Sequence, residues 1–185
     1  MKNIRLLFAA ASVMTVFTFN QCKKKTEEPQ LPPETTTGAM TFGCKVNGKV
    51  FVPKDGRGRP GLYVQYVNLG AGVGGGWFLN IPAVNWEPAD IPSLQIGTDS
   101  LLIAENSTYQ FKIDSNYQSV KGTAYAKYAI GSNGYIKLNS DVGELTITRF
   151  DQVNRIMSGK FFFIATNTVN REKINITEGR FDIRY

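Results

Sequence analysis

The side chains available for chemistry in this chain are carboxylates, aromatics and two cysteines, because histidine is absent from all 185 residues. Without imidazole, neither a Ser-His-Asp nor a Cys-His pair can be assembled. Zinc, iron and haem sites that depend on imidazole are disfavoured for the same reason. Glu87, Asp90, Asp141 and Glu144 remain as carboxylates that could act in pairs on a glycosidic bond. The same oxygens, with Asp114 and Asn116, could hold calcium. No loop carries a dense ligand series, so the sequence predicts no catalytic residue, no metal and no cofactor. The aromatics offer a different chemistry. Trp86, with Tyr63 and Tyr66, could form a platform on which sugar rings stack, while Asn85, Glu87 and Asp90 take hydroxyl hydrogen bonds. Trp77 lies inside a strand-like run and reads as core.

Two glycine motifs invite a reading that their context denies. Gly70, Gly72 and Gly75 satisfy G-x-G-x-x-G, but a dinucleotide site needs a helix after the glycines to hold the pyrophosphate. Here "WFLNIP" follows, which is strand-like. "GRGRPG" contains Arg57-Gly58-Arg59-Pro60, which resembles the core of a minor-groove-binding element. It sits between two strand-like runs and reads as a turn. The net charge of +6 does not change this. Residues 41–185 hold sixteen basic and twelve acidic side chains, scattered rather than clustered. No nucleotide and no nucleic-acid partner is expected.

The elements that would position these residues repeat with period two. "TYQFKID" sets Tyr109, Phe111 and Ile113 against Gln110, Lys112 and Asp114. "GRFDIRY" sets Phe181, Ile183 and Tyr185 against Asp182 and Arg184. Ile174 and Ile176 have the opposite parity, so Glu178-Gly179 reads as a bulge where the facing resets. "KFFFIAT" is apolar on both parities, as in a strand covered on both sides. Asn47-Gly48 is a hairpin signal, and residues 167–173 form the loop of a second hairpin. The predicted strands are about 41–46, 49–53, 62–69, 77–84, 93–96, 100–104, 108–113, 122–130, 134–139, 143–150, 159–167 and 173–184. This pattern predicts an all-β domain over 41–185, an antiparallel β-sandwich with a β-barrel as the alternative. Cys44, in the first strand, reads as a buried, inert thiol.

Residues 1–21 begin with Lys2 and Arg5. They continue with an apolar run from Leu6 to Phe19 of about 14 residues, shorter than the roughly 20 of a membrane-spanning helix. This is the build of a secretory signal peptide. "FNQC" resembles the cleavage site of bacterial lipoprotein signals, in which the cysteine becomes lipidated. Asn20 and Gln21 are larger and more polar than the commonest pattern. The resemblance implies lipidation of Cys22. Simple secretion with a free thiol, or a Cys22–Cys44 disulfide, are the alternatives. Residues 22–40 then read as the lipidated cysteine and a Pro/Thr-rich tether of roughly 23 Å as a coil. Lys23, Lys24 and Lys25 would add about 1 kcal/mol each against anionic head groups.

"TFGCKVNG" near the start, with "GELTITRFD" and "NITEGRFDIRY" at the end, resembles a family of uncharacterised Bacteroidetes-type lipoproteins that carries a domain-of-unknown-function label. The resemblance implies an exported, all-β protein anchored through Cys22, most consistent with the outer membrane. It implies no reaction and no site residues. The sequence therefore predicts a non-enzymatic binding or interaction module of the bacterial envelope, with a glycan or an envelope protein as partner. A carbohydrate-binding accessory is the sharper alternative, and a histidine-free hydrolase the third.

Overall fold

The computed structural model describes residues 29–71 and 74–185. Its strands are β1 (Thr41–Val46), β2 (Lys49–Phe51), β3 (Gln65–Asn68), β4 (Trp77–Val84), β5 (Ser93–Asp99), β6 (Ser107–Gln110), β7 (Thr123–Ile130), β8 (Asn133–Ile136), β9 (Gly143–Asp151), β10 (Ile156–Thr166) and β11 (Lys173–Arg184). They form one antiparallel sheet in the order β2-β1-β11-β10-β8-β7-β5-β4-β3, with β9 also pairing β10 and β6 pairing β9. The long strand β10 explains the branch. Ile156 to Phe163 face β9, whereas Thr166 pairs with Ile136 of β8. The sheet does not close into a barrel. It folds over at β10 into two layers in the manner of a sandwich.

Period-two patterning supplies the core. Phe42, Leu79, Ile96, Ala126, Leu145 and Phe163 point inward and are buried. Each large apolar side chain withdrawn from water contributes about 1.5–3 kcal/mol. Tyr66 ties the layers together. Its ring stacks on Trp77 at 4.7 Å and meets the edges of Phe150 and Tyr185 at 5.5 and 5.2 Å. Asn47 and Gly48 turn the β1–β2 hairpin with φ of 47° and 81°. The predicted bulge is present. Phe161 pairs with Gly179 and Phe163 with Ile176, so Thr177 and Glu178 of β11 oppose Phe162 alone and β11 carries one extra residue. Ile174 and Ile176 before it, and Phe181 and Ile183 after it, all reach the core.

Four expectations are corrected. Residues 100–104 are not a strand. Ser100 turns the chain at φ 49°, and the segment inserts Ile103 into the core, its N–H donating to Tyr66 Oη. "KFFFIAT" is covered on one side only, since Phe162 is 43% exposed while its two phenylalanine neighbours are buried. Asp182, on the outward parity of β11, is buried rather than solvated. The tether boundary at residue 40 moves back for the same reason. Residues 32–39 lie across the outer side of β1, β11 and β10 and cover that carboxylate. Asp182 Oδ2 accepts hydrogen bonds from Thr35 Oγ1 (2.6 Å), Thr37 N (2.9 Å), Thr37 Oγ1 (3.3 Å) and Ala39 N (3.1 Å). Oδ1 accepts from Gly38 N (2.7 Å) and Ser158 Oγ (2.8 Å). Glu34 pairs with Lys160 at 2.6 Å, and Arg180 donates to Pro32 O. Threonines and a glycine that read as linker are donors to one buried carboxylate.

Candidate functional site

The outer face of β4, β5, β7 and β8 holds an open groove of about 680 Å³. β4, β5, β7 and β8 form its floor, and the β10–β11 loop forms one wall. Inward alternation commits Ile81, Leu94, Ile96, Ala126 and Tyr128 to the core. Their neighbours must therefore face out. Strand register places these in rows. Pro82, Gln95, Lys127 and Ile136 form one row, and Val84, Ser93, Ala129 and Gly134 the next. Asn80, Gly97 and Tyr125 form a third. Gln95 Nε2 donates to Asn80 Oδ1 at 2.7 Å, which fixes both amides. The wall is set by Asn167, whose Oδ1 accepts the backbone N–H groups of Val169 and Asn170. Val169 projects from it, 90% exposed.

Gly97 has a specific reason to be glycine. A Cβ there would lie within 3 Å of the Tyr125 ring. The ring lies across β5 in the space a side chain would fill. Burial pushes the Tyr125 hydroxyl pKa up, with Asp99 adding to the shift. The Lys127 ammonium sits 5.8 Å from the same ring. Among the described residues lining the groove there is no carboxylate.

The structure divides the expected aromatic platform. Tyr66 is buried in the core and takes no part in any surface. Tyr63 is 48% exposed. Its N–H donates to Pro82 O, and its neighbours Leu62 and Val64 turn toward the core. Tyr63 therefore extends the Pro82–Ile136 row. Trp86 is only partly buried, but its surfaces are occupied. Its Nε1 donates to Pro60 O at 3.1 Å, and the Arg59 guanidinium lies 5.0 Å from the ring. Gly56 packs so closely that a Cβ would come within 2.8 Å of Trp86 Cβ. Trp86 thus clamps the 54–61 loop, whose Gly56 and Arg59 close a tight turn through mutual backbone bonds. The segment that holds Gly70 and Gly75 connects β3 to β4, which pair as antiparallel neighbours, and Gly72 lies outside the described residues.

Of the carboxylates considered for catalysis, Asp141 and Glu144 line one open cavity of about 800 Å³, and each is held by other partners. Asp141 is buried, accepting from Thr166 Oγ1 at 2.7 Å and Lys173 Nζ at 2.5 Å. Burial would raise its pKa, but these bonds hold it below the usual carboxylate range. Glu144 accepts from Gln110, and Glu87 lies 4.0 Å from Lys54. Asp114 caps its own turn through the N–H groups of Asn116 and Gln118. Among the described residues no three acidic or thiol side chains gather as a metal site would require. Cys44 is a free thiol in the core, its pKa pushed up to about 12 by burial. Cys22 lies outside the described residues.

Sequence reasoning missed Tyr125 and Lys127. In "TAYAKYAI" alanines alternate with tyrosines and a lysine, so hydrophobicity alone does not name the outward face. The usable signal was Gly97 within a strand, a mark of close approach by a neighbouring group. Comparison with family models, curated proteins and solved structures finds no match.

Proposed function

We propose that this chain is a non-catalytic binding module of the bacterial envelope, anchored to the outer membrane through a lipid on Cys22, and that its groove binds carbohydrate. One observation carries the ligand reading. The groove combines an apolar floor (Pro82, Val84, Ile136) with amide and hydroxyl side chains (Ser93, Gln95, Asn133) in an open concavity. Sugar rings present apolar C–H faces and a rim of hydroxyls, and this surface matches both. The resemblance to lipoproteins and the apolar run ending in "FNQC" support the anchor.

A glycan array probed with the protein, followed by titration of the hits, tests the ligand reading. Ile136→Arg places a long cation on the groove floor without entering the core, and should abolish binding of every neutral hit while the fold persists. Neutral hits that bind this variant as well as the wild type would sink the groove reading. Labelled palmitate should tag the wild type and not Cys22→Ser. Equal labelling of both would remove the anchor.

A further inference from the structure

Resting on the groove reading, we infer that the ligand is an acidic glycan, and that Lys127 reads the carboxylate of a uronic acid residue. Among the described strand lysines only Lys127 and Lys49 hold no carboxylate, and Lys49 is exposed at the β1–β2 hairpin. Lys45, Lys160 and Lys173 each hold a carboxylate, Glu178, Glu34 and Asp141, at 2.5, 2.6 and 2.5 Å. Lys137 is buried and donates to Phe111 O at 2.8 Å. Lys127 is half-buried in the middle of the groove floor, and among the described residues its ammonium has neither an ion pair nor a hydrogen bond. It is flanked by Gln95 on β5 and Ile136 on β8 in the same row.

A partly desolvated ammonium with no counter-charge around it is poised for an anion brought by the ligand. The groove lining carries no competing carboxylate, so an acidic ligand meets no like charge. The row Tyr63–Pro82–Gln95–Lys127–Ile136 crosses four inter-strand gaps of ~4.8 Å, about 19 Å in all. That length takes several sugar residues in line across the strands, with an aromatic ring at one end and the cation near the other. Phosphate and sulfate esters would also seek a lysine. A single ammonium flanked by an uncharged amide balances the one charge of a carboxylate and not the nearly two of a phosphate monoester, and competition by a sulfated glycan separates the sulfate ester.

The test uses the full-length chain in detergent, with oligogalacturonate and its fully methyl-esterified form as probes. The two share a backbone and differ in charge. Wild type should bind the acid form at least about tenfold more tightly, the scale of one charge-assisted hydrogen bond. Lys127→Met should lose that preference and keep whatever affinity the ester shows. Lys127→Arg should largely retain it. Rising salt should erode the preference in the wild type and have no such effect in Lys127→Met. Equal affinity for both forms, binding of neither, or a preference unchanged in Lys127→Met would each overturn the inference. The groove reading is judged separately, by neutral array hits and their loss in Ile136→Arg. A sulfated glycan that outcompetes the uronate would overturn the uronic-acid inference and leave the groove reading standing.

Discussion

Replacing Asp182 by asparagine tests whether the segment before β1 is part of the fold. The carboxylate accepts six hydrogen bonds, five from residues 35–39 and one from Ser158. Burial alone would raise its pKa, but the donors, Thr35 foremost, hold it down to about 2 from the usual 3.8. At 1.36 kcal/mol per pKa unit, that gap corresponds to roughly 2–3 kcal/mol of stability at neutral pH. The folded-state pKa is depressed, so this contribution is complete above roughly pH 5 and fades as pH falls through about 2. Asparagine has one acceptor oxygen, so its amide must face donors on the other side. Asp182→Asn should therefore cost about 3–5 kcal/mol, the scale of breaking a buried charged network. Urea unfolding of a soluble form starting at residue 23 measures it. Removing residues 23–40 should cost about 2–3 kcal/mol, less because water then reaches the carboxylate. In that shortened form Asp182→Asn should cost under about 1 kcal/mol, since most of its partners are gone. Asp151 is also depressed to about 2, so the difference between wild type and Asp182→Asn is the quantity to follow with pH. A shortened form with an unchanged urea midpoint would refute the reasoning, because the donors would then contribute nothing.

Trp86→Ala should free the 54–61 loop at a cost of about 1–3 kcal/mol, from a lost hydrogen bond, a cation–π contact and partial burial. Limited trypsin digestion should then cut after Arg57 several-fold faster, and an unchanged rate would show that the clamp is idle. Cys44, raised to about 12 and enclosed in the core, should react with an aromatic disulfide reagent only at the rate of unfolding. A fast reaction under native conditions would mean that β1 opens locally.

The strands were legible because each carries its own alternation, and a local pattern needs no knowledge of its partner. The bulge at Glu178 was readable for the same reason, since the isoleucines before it and the aromatics after it differ in parity. What failed was long-range. Asp182 reads as outward-facing from its own strand, and so it is; the sequence of β11 says nothing of a second segment laid over it. Thr35, Thr37 and Gly38 look like linker, because hydroxyls and glycine have the composition of a tether until a carboxylate some 145 residues away supplies an acceptor. Tyr66 and Tyr63 look equivalent in "GLYVQYVN", yet three residues along a strand reverses the face. Trp86 looked available because the 54–61 loop that it clamps lies 25 to 32 residues earlier in the chain.

The clasp on Asp182 also bears on how the groove meets its ligand. Residues 32–39 bind the outer face of the layer built on β1, β11 and β10, while the groove opens on the outer face of β4, β5, β7 and β8. The two faces point away from each other across the core. With the lipid at Cys22 as proposed, the chain between anchor and clasp shortens from eighteen residues to about nine, whose covalent reach is at most about 30 Å. Such a lead is shorter than the domain it carries. It would hold the clasped layer toward the bilayer and turn the groove outward, where a long polysaccharide could lie across the strands without meeting the membrane. The clasp would then set orientation as well as stability. Breaking it with Asp182→Asn would release residues 32–39, lengthen the lead again and let the groove rotate toward the lipid. In vesicles carrying the lipidated protein, a quencher attached to the head groups should leave a fluorophore at Asn133 bright in the wild type and dim it in Asp182→Asn under conditions where the variant remains folded. Equal quenching in both would separate the clasp from any role in presentation.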